Sequence, residues 1–259
     1  MWRRDASEPV NAWLGMMVMG GGGTGMADYR QHWESTYQEA YASGKGHWRA
    51  EHATPRAFLA FMESAWAPRQ GARILEAGCS DGLNAVHLAR RGYEVTGVDV
   101  SETAIARARE TAADAGVGVA FVCLDLARDA VPGGGCYDLW IDIKTLHCLW
   151  RDEDRQRYLA GVATALGPSG VLFLNCGLAL ADVRAHFPLV FAALDAETRG
   201  QADVLDRELP PEQWMGIRCE TLEWYCDELK QAGLTICASR REASIEAGWG
   251  AVVVAKREH

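Results

Sequence analysis

The amino-acid sequence predicts an α/β protein. A seven-stranded, mostly parallel sheet carries helices on both faces, with an N-terminal helical cap and a C-terminal antiparallel hairpin. Short apolar runs alternate with helical segments from Arg73 to Cys176, which implies a parallel sheet covered on both sides. The first run closes with an acid and a glycine turn before a helix, in Ile74-Leu75-Glu76-Ala77-Gly78-Cys79-Ser80-Asp81-Gly82. The next strand-like runs end at or beside Asp99, Asp125 and Asp142, so carboxylates recur at one end of the sheet.

Taken in chain order, residues 1–25 differ from the rest. Met16-Met17-Val18-Met19 runs into Gly20-Gly21-Gly22-Gly23-Thr24-Gly25, a flexible, low-complexity leader. Arg3 and Arg4 precede a mildly apolar stretch, but Pro9 and Asn11 interrupt it and no convincing signal-peptide cleavage site follows. The expectation is a disordered leader, or an upstream start with Met26 beginning the functional chain, followed by one domain over 26–259. Its first part, 26–70, is the helical cap. Asp28 to Ala42 is amphipathic, with Tyr29, Trp33 and Tyr37 recurring every four residues as an aromatic stripe. Lys45-Gly46-His47-Trp48 is a loop. Thr54 and Pro55 suit the N-cap and first turn of a second helix running to about Trp66.

The core then reads as strand 73–77, helix 82–91, strand 93–98, helix 101–115, strand 119–124, strand 137–142, helix 152–166 and strand 170–176. Ser101, Glu102 and Thr103 suit a helix start, and Gly92 and Gly116 suit helix stops. Residues 178–220 break the rhythm, with helical pieces at Asp182–Phe187 and Leu189–Leu194 and then a polar stretch to Arg207 and Pro210-Pro211. So long an excursion reads as a lid-like insertion. Helix 221–232 and strands 234–241 and 248–255 close the domain.

Composition narrows the function. The chain has 259 residues, 49% hydrophobic and 24% charged, which is ordinary for a globular domain. Its net charge is −9, which argues against a nucleic-acid backbone as the main partner. No apolar run approaches the roughly 20 residues of a membrane span. The eight cysteines form no CxxC pair and sit mostly in apolar strands, as reduced core thiols do, so a cytoplasmic compartment and no metal site are expected. Among the ten tryptophans, Trp33, Trp48, Trp150 and Trp214 fall in lid or loop segments and are candidate walls of an apolar or cationic pocket.

The chemistry centres on the glycine turn. A strand ending in such a turn admits a ligand close to the backbone, facing Glu76 and the free amides, and this suits a nucleoside-containing cofactor. Asp99 lies 21 residues past Gly78, at the end of the second strand. It is placed to accept both ribose hydroxyls, or to cap the helix from Ser101. Asp125 can accept the exocyclic amino group of adenine, with Leu126 beside it, or can be solvated in a loop. Asp142 ends the fourth strand ahead of a loop carrying Lys144 and His147. The coincidence of four acids at successive strand ends is the strong signal, since open α/β sheets bind ligands there.

This set resembles the class I S-adenosyl-L-methionine (SAM)-dependent methyltransferases, over about residues 72–177 and with a typical ending at 221–255. The resemblance implies a Rossmann-like fold, SAM as cofactor and S-adenosyl-L-homocysteine (SAH) as product. It implies a cofactor site drawn from Trp33, Trp48, Glu76, Gly78, Cys79, Ser80, Gly82, Asn84, Asp99, Val100, Asp125, Leu126, Asp142 and Ile143. The family's turn reads E/D-x-G-x-G-x-G, and Ser80 stands here for the middle glycine. Ile141 to Leu149 is similar to "LDRGxLHHL"-like loops, His147 matching the first histidine and Lys144 departing from the glycine-containing form. The N-terminal part resembles the small-molecule branch, including thiopurine- and tellurite-methyltransferase-like proteins, with Trp33, Tyr37, Lys45 and Trp48 at comparable positions.

Methyl transfer from a sulfonium is an in-line displacement with a neutral leaving group, so alignment and water exclusion dominate. The acceptor must lose a proton, and His147 is the candidate general base, the alternative being a structural histidine. Asp142 and Lys144 are candidate contacts to cofactor or substrate, and His47 is a further candidate. Cys148, Cys176, Cys219 and Cys226 are read as core thiols. Arg184, Arg199, Arg207 and Arg218 are candidate contacts for an acidic group, and Trp214 and Met215 candidate apolar walls. The expected partner is a small-molecule acceptor methylated at N, O or S, with no nucleic acid or membrane, the protein being a monomer or homodimer. The rival readings are a non-catalytic SAM-binding module, a protein methyltransferase and an NAD(P)-dependent oxidoreductase.

Overall fold

The computed structural model describes residues 29–44, 56–197, 218–244 and 248–257. The leader, Lys45, His47, Trp48, Thr54, Pro55, Arg199, Arg207, Pro210, Pro211, Trp214 and Met215 lie outside these residues. Seven strands form one sheet: β1 (Arg73–Ala77), β2 (Glu94–Asp99), β3 (Ala120–Cys123), β4 (Tyr137–Ile143), β5 (Leu166–Cys176), β6 (Leu234–Ser244) and β7 (Gly248–Arg257), in the order β3-β2-β1-β4-β5-β7-β6. The pairs among β1 to β5 are parallel, and β7 runs antiparallel between β5 and β6. Chain order reverses between β1 and β4, so a crevice opens at the carboxyl ends of these two strands.

The helices are α1 (Tyr29–Ala42), α2 (Arg56–Met62), α3 (Leu83–Arg90), α4 (Glu102–Ala115), α5 (Asp152–Ala165), α6 (Leu180–His186), α7 (Pro188–Glu197) and α8 (Leu222–Gln231). The central strands β1 and β4 are buried on both faces, as the middle of a parallel sheet requires. Leu75, Trp140, Leu172 and Val253 pack with Tyr158, Leu159 and Val162 of α5 and Tyr225 and Leu229 of α8. Ile74, Leu139, Ile141 and Phe173 pack on the opposite face with Phe58 and Phe61 of α2, Leu88 of α3 and Ile105 of α4.

Two elements differ from expectation. α2 stops at Met62 rather than near Trp66, and the Ser64 hydroxyl bonds back to the Phe61 carbonyl at 2.7 Å, closing the last turn. β5 starts at Leu166, four residues before its expected start at 170, and includes Gly167-Pro168-Ser169-Gly170. Leu166 pairs with Tyr137, and the register then shifts between Tyr137 and Leu139, so the strand continues through an irregularity.

The insertion is fastened at its base. Leu178 and Glu220 form a parallel bridge, and the Ala179 amide donates to the Glu220 carbonyl at 3.0 Å. Among the described residues, no helix is long and apolar enough to cross a membrane.

Candidate functional site

The glycine turn between β1 and α3 is built from left-handed residues. Gly78, Ser80 and Gly82 have φ of 62°, 52° and 77°. A β-carbon on Gly78 would collide with the Thr145 side chain, and one on Gly82 would meet Phe121 Cζ at 2.7 Å. Both glycines are therefore required by packing as well as by conformation. Ser80 is not in an ordinary conformation: it keeps the left-handed geometry of the glycine it replaces, an arrangement that costs roughly 1–3 kcal/mol. Its hydroxyl is buried without a hydrogen bond. Its amide donates to Asp99 Oδ2 at 2.9 Å, which holds the turn against the end of β2.

Asp99 is buried and also accepts the Ser101 amide on Oδ1 at 3.0 Å. Burial pushes its carboxyl up to about 6, while the Ser101, Ser80 and Val100 amides oppose that rise. Ser101 caps α4, accepting the Ala104 amide at 3.0 Å. Asp99 thus joins the glycine turn to the start of α4, where Ser101 rather than Asp99 is the N-cap.

Glu76 is buried at the end of β1, where burial raises its carboxyl to about 8. Asn84 donates to Oε1 at 3.1 Å. Oε2 is buried and has no hydrogen-bond partner. An orphaned carboxyl oxygen beside a glycine turn fits a ligand that brings its own donor. Cys79 is buried, its amide bonded to the Val98 carbonyl at 2.9 Å. Asp125, just beyond β3, accepts the Ala127 amide at 3.1 Å and the Tyr29 hydroxyl on Oδ1. Its Oδ2 is buried without a hydrogen bond, with the Arg128 guanidinium 3.6 Å away. Leu126 is buried beside it, Trp33 and Val100 are partly buried against the same core, and Ile143 is partly buried against the core of the opposite face.

Helix α1 lies over this edge. Tyr29 reaches Asp125, Trp33 packs on the core, and Tyr37 and Tyr41 stack at 6.0 Å facing Ser80 and Asp99. Glu34 accepts from the Ser101 hydroxyl at 2.6 Å and the Thr103 amide at 3.3 Å, so an acid from the cap sits at the amino end of α4. The four-residue stripe Tyr29, Trp33, Tyr37 continues to Tyr41, a periodic signal that extends one turn further than the sequence reading took it. Glu34 carried no such signal.

On the other side of the crevice, Asp142 is fully buried at the end of β4. It accepts the Tyr158 hydroxyl at 2.7 Å, the Thr145 amide at 2.8 Å and the Leu146 amide at 3.0 Å. Burial raises it to about 6, against these bonds and the nearby Lys144. Its oxygens serve the 3₁₀ turn Leu146–Cys148, which makes Asp142 a residue that positions the loop. Tyr158 also accepts the Trp140 indole at 3.1 Å, and nothing in the sequence marked it.

His147 is buried, and its Nδ1 accepts the Gly177 amide at 3.0 Å. An Nδ1 that accepts carries no proton, so the neutral ring holds its hydrogen on Nε2. This geometry runs against the expectation of a general base, because the ring can gain a proton only by giving up the Gly177 bond. The His147 carbonyl accepts the Arg218 amide at 2.6 Å. Arg155, fully buried, donates to the Leu149 carbonyl at 2.6 Å and the Arg218 carbonyl at 2.7 Å, with Glu220 at 3.3 Å and its guanidinium 4.5 Å over Trp224. It braces the turn carrying His147 against the returning end of the insertion. Lys144 sits in the left-handed region at φ 70°.

Two thiols border the site: Cys176 Sγ lies 4.0 Å from Asp142 Oδ1, and Cys148 Sγ donates to the Lys144 carbonyl at 3.2 Å. Burial raises the Cys176 thiol well above its usual range and Cys219 to about 11. Among the described residues, no group of three or more His, Cys, Asp or Glu side chains is placed to hold a metal ion.

Comparison with known proteins places this geometry. Residues 74–170 match the family model described as a methyltransferase domain. A ubiquinone biosynthesis O-methyltransferase of Caulobacter vibrioides is 30% identical over 132 residues, 49% of this chain and 51% of that protein. An uncharacterized methyltransferase of Schizosaccharomyces pombe is 33% identical over 102 residues, 39% of this chain and 69% of that protein. The chain thus spans about half the length of the O-methyltransferases it matches and two thirds of the yeast protein. In fold it is similar to 1,6-didemethyltoxoflavin-N1-methyltransferase of Burkholderia thailandensis, solved with 1,6-didemethyltoxoflavin and S-adenosylhomocysteine. The TM-score is 0.64 at 18% identity, covering 93% of this chain and 94% of that one.

Proposed function

This chain belongs to the methyltransferase family, and on that premise we propose that it uses SAM to methylate a small-molecule acceptor at N, O or S. One observation carries the reading. Glu76, Asp99 and Asp125 stand buried at the carboxyl ends of three adjacent parallel strands around a left-handed turn, with Glu76 Oε2 and Asp125 Oδ2 free of hydrogen bonds. The named relative O-methyltransferase and the toxoflavin-precursor N-methyltransferase support a small acceptor.

SAM, when bound, supplies a methyl group on a sulfonium, and the product is SAH. The residues of this chain hold and orient. Asp99, its position fixed by the Ser80 and Ser101 amides, would hold the ribose. Asp125 and Leu126 would hold the adenine. Glu76 would accept a donor from the amino-acid end. Tyr37, Tyr41 and Trp33 of α1 close the edge against water, which sharpens alignment at the reacting centre. Asp142, through Thr145, Leu146 and Tyr158, sets the turn that bears His147. His147 then presents an Nε2 proton as donor. Helices α6 and α7 would form the described part of the acceptor's lid. All eight cysteines are free thiols, which supports a reducing, cytoplasmic setting.

Calorimetry of the full chain with SAM, SAH and NAD tests the reading. Binding of SAM and SAH without NAD supports it, and NAD binding without SAM overturns it. Methyl-labelled SAM with a metabolite pool then separates the outcomes. Label in a small molecule is expected, label in protein marks a protein methyltransferase, and no transfer marks a binding module.

A further inference from the structure

We infer that Thr145 is a positioning residue: its side chain joins the glycine turn to the turn bearing His147, so that a cofactor held at Gly78 fixes the base of the insertion on the acceptor side. The inference rests on the proposed methyl transfer and deepens it, naming the residue that couples the two halves of the crevice. β1 and β4 pair in parallel as far as Ala77 and Asp142, and the crevice opens beyond them. Thr145 lies three residues past Asp142 and reaches back to β1, where its hydroxyl donates to the Ala77 carbonyl at 2.8 Å.

That hydroxyl is diverted from its usual use. Thr145 is the N-cap of the 3₁₀ turn Leu146–Cys148, where a threonine ordinarily turns its oxygen onto the amides of its own turn. Here it makes no capping bond. Asp142 takes the Thr145 and Leu146 amides instead, at 2.8 and 3.0 Å, which frees the hydroxyl to cross the crevice. The side chain also packs on the glycine turn. A β-carbon on Gly78 would run into Thr145 Oγ1 and lie 3.3 Å from its Cβ and Cγ2, so glycine at this position makes room for Thr145. The Cys79 and Ser80 amides tie the turn to Val98 and Asp99 of β2. Thr145 ties the same turn to the β4 side.

From Thr145 the contacts continue into the insertion. Two residues on, His147 receives a hydrogen bond from each end of it: the Gly177 amide on Nδ1 at 3.0 Å and the Arg218 amide on its carbonyl at 2.6 Å. A β-carbon on Gly177 would lie 3.1 Å from His147 Nδ1 and collide with Cys219 Sγ, so this contact too depends on a glycine. The two ends are fastened to each other by the Leu178–Glu220 bridge, and the Tyr225 hydroxyl donates to the Gly177 carbonyl at 2.8 Å. Arg155 holds the Leu149 and Arg218 carbonyls together. A contiguous set of packed side chains and hydrogen bonds therefore runs from Gly78 through Thr145 and His147 to both ends of the insertion, the kind of network that carries coupling between sites.

The test is hydrogen–deuterium exchange of the full chain with and without saturating SAH, with SAH binding measured by calorimetry. In the wild type, SAH is expected to slow exchange about threefold or more at 76–84, and also at 144–150, 177–180 and 218–222. Thr145→Val keeps the shape and removes the donor. It should weaken SAH by about tenfold at most, and at saturation keep the slowing at 76–84 while losing it at the other three segments. Thr145→Ser keeps the donor and should retain the whole pattern. Slowing confined to 76–84 in the wild type, or an unchanged pattern in Thr145→Val, overturns the inference. Loss of SAH binding in Thr145→Val, with normal binding in Thr145→Ser, makes Thr145 a cofactor contact and also overturns it. Should Thr145→Val fail to fold, the wild-type exchange at 177–180 and 218–222 decides: slowing supports the coupling and no change overturns it. Failure of the wild type to bind SAH instead overturns the methyltransferase reading itself.

Discussion

The Tyr29 hydroxyl donates to Asp125 across 96 positions of sequence, joining the first described helix to the end of the third strand. Tyr29 takes Oδ1 together with the Ala127 amide and leaves Oδ2 without a hydrogen bond, beside the Arg128 guanidinium. The Arg128 guanidinium lies 5.4 Å over the Tyr29 ring and completes the contact. The cap is thus pinned to the site it covers. Tyr29→Phe is expected to lower stability by about 1–3 kcal/mol, the range for a hydrogen bond to a carboxylate, and to weaken SAH binding several-fold. Urea denaturation and calorimetry read both, and an unchanged variant would mean the contact carries no weight.

Asp99 receives the Ser80 amide on one oxygen and the Ser101 amide on the other. Asp99→Ala removes the acceptor proposed for the ribose and loosens the glycine turn together, so SAH affinity should fall by about 100-fold or more. Asp99→Asn keeps the shape and one acceptor oxygen, and should fall less. Equal affinity in wild type and Asp99→Ala removes Asp99 from the cofactor site.

Ser80 combines a left-handed backbone with a buried hydroxyl that has no partner. Glycine relieves both, so Ser80→Gly should stabilise the protein by about 1 kcal/mol, measured as an upward shift of the thermal midpoint. A destabilised variant would show that the hydroxyl is held favourably.

Glu76 makes stability depend on pH with a definite sign. Its carboxyl is raised from 4.5 to about 8, so between these values the folded chain binds more protons than the unfolded one. Stability is fullest below pH 4.5 on this account and declines as pH rises toward 8. Asp99 and Asp142, raised from 3.8 to about 6, act in the same direction over their lower window. Glu76→Gln should flatten the decline, by at most about 1.4 kcal/mol per pH unit. Urea midpoints from pH 5 to 9 measure it, and parallel curves for the two proteins would refute it.

His147 offers a sharper contrast. Asparagine can accept the Gly177 amide as Nδ1 does, so His147→Asn should retain most turnover, while His147→Ala loses about tenfold. The rate profile should lack an imidazole limb near neutrality. A limb that vanishes in both variants would restore His147 as the base.

The sheet was legible before any coordinates, because parallel strands buried on two faces appear as apolar runs and their helices as amphipathic ones. The strands carrying Glu76, Asp99 and Asp142 lie within a residue or two of their expected limits. The gathering of the acids at one edge was legible too, since consecutive parallel strands all end there. Tyr158 was not, because a hydrogen bond to Asp142 has no local sequence pattern. Arg155 read as one charge on a helix, and only the fold buries it.

What the sequence determined by itself is therefore periodic or local: the strand–helix alternation, the glycine turn, the acids spaced one strand apart and the aromatic stripe. Tertiary structure decided what each polar group is used for. It left Glu76 Oε2 without a partner, committed Asp142 to a turn, set the His147 proton on Nε2 and forced Ser80 and Lys144 into left-handed backbone. The physical reason is range. Backbone periodicity is set by neighbours within a few positions, whereas hydrogen-bond supply and burial depend on groups brought together from distant parts of the chain.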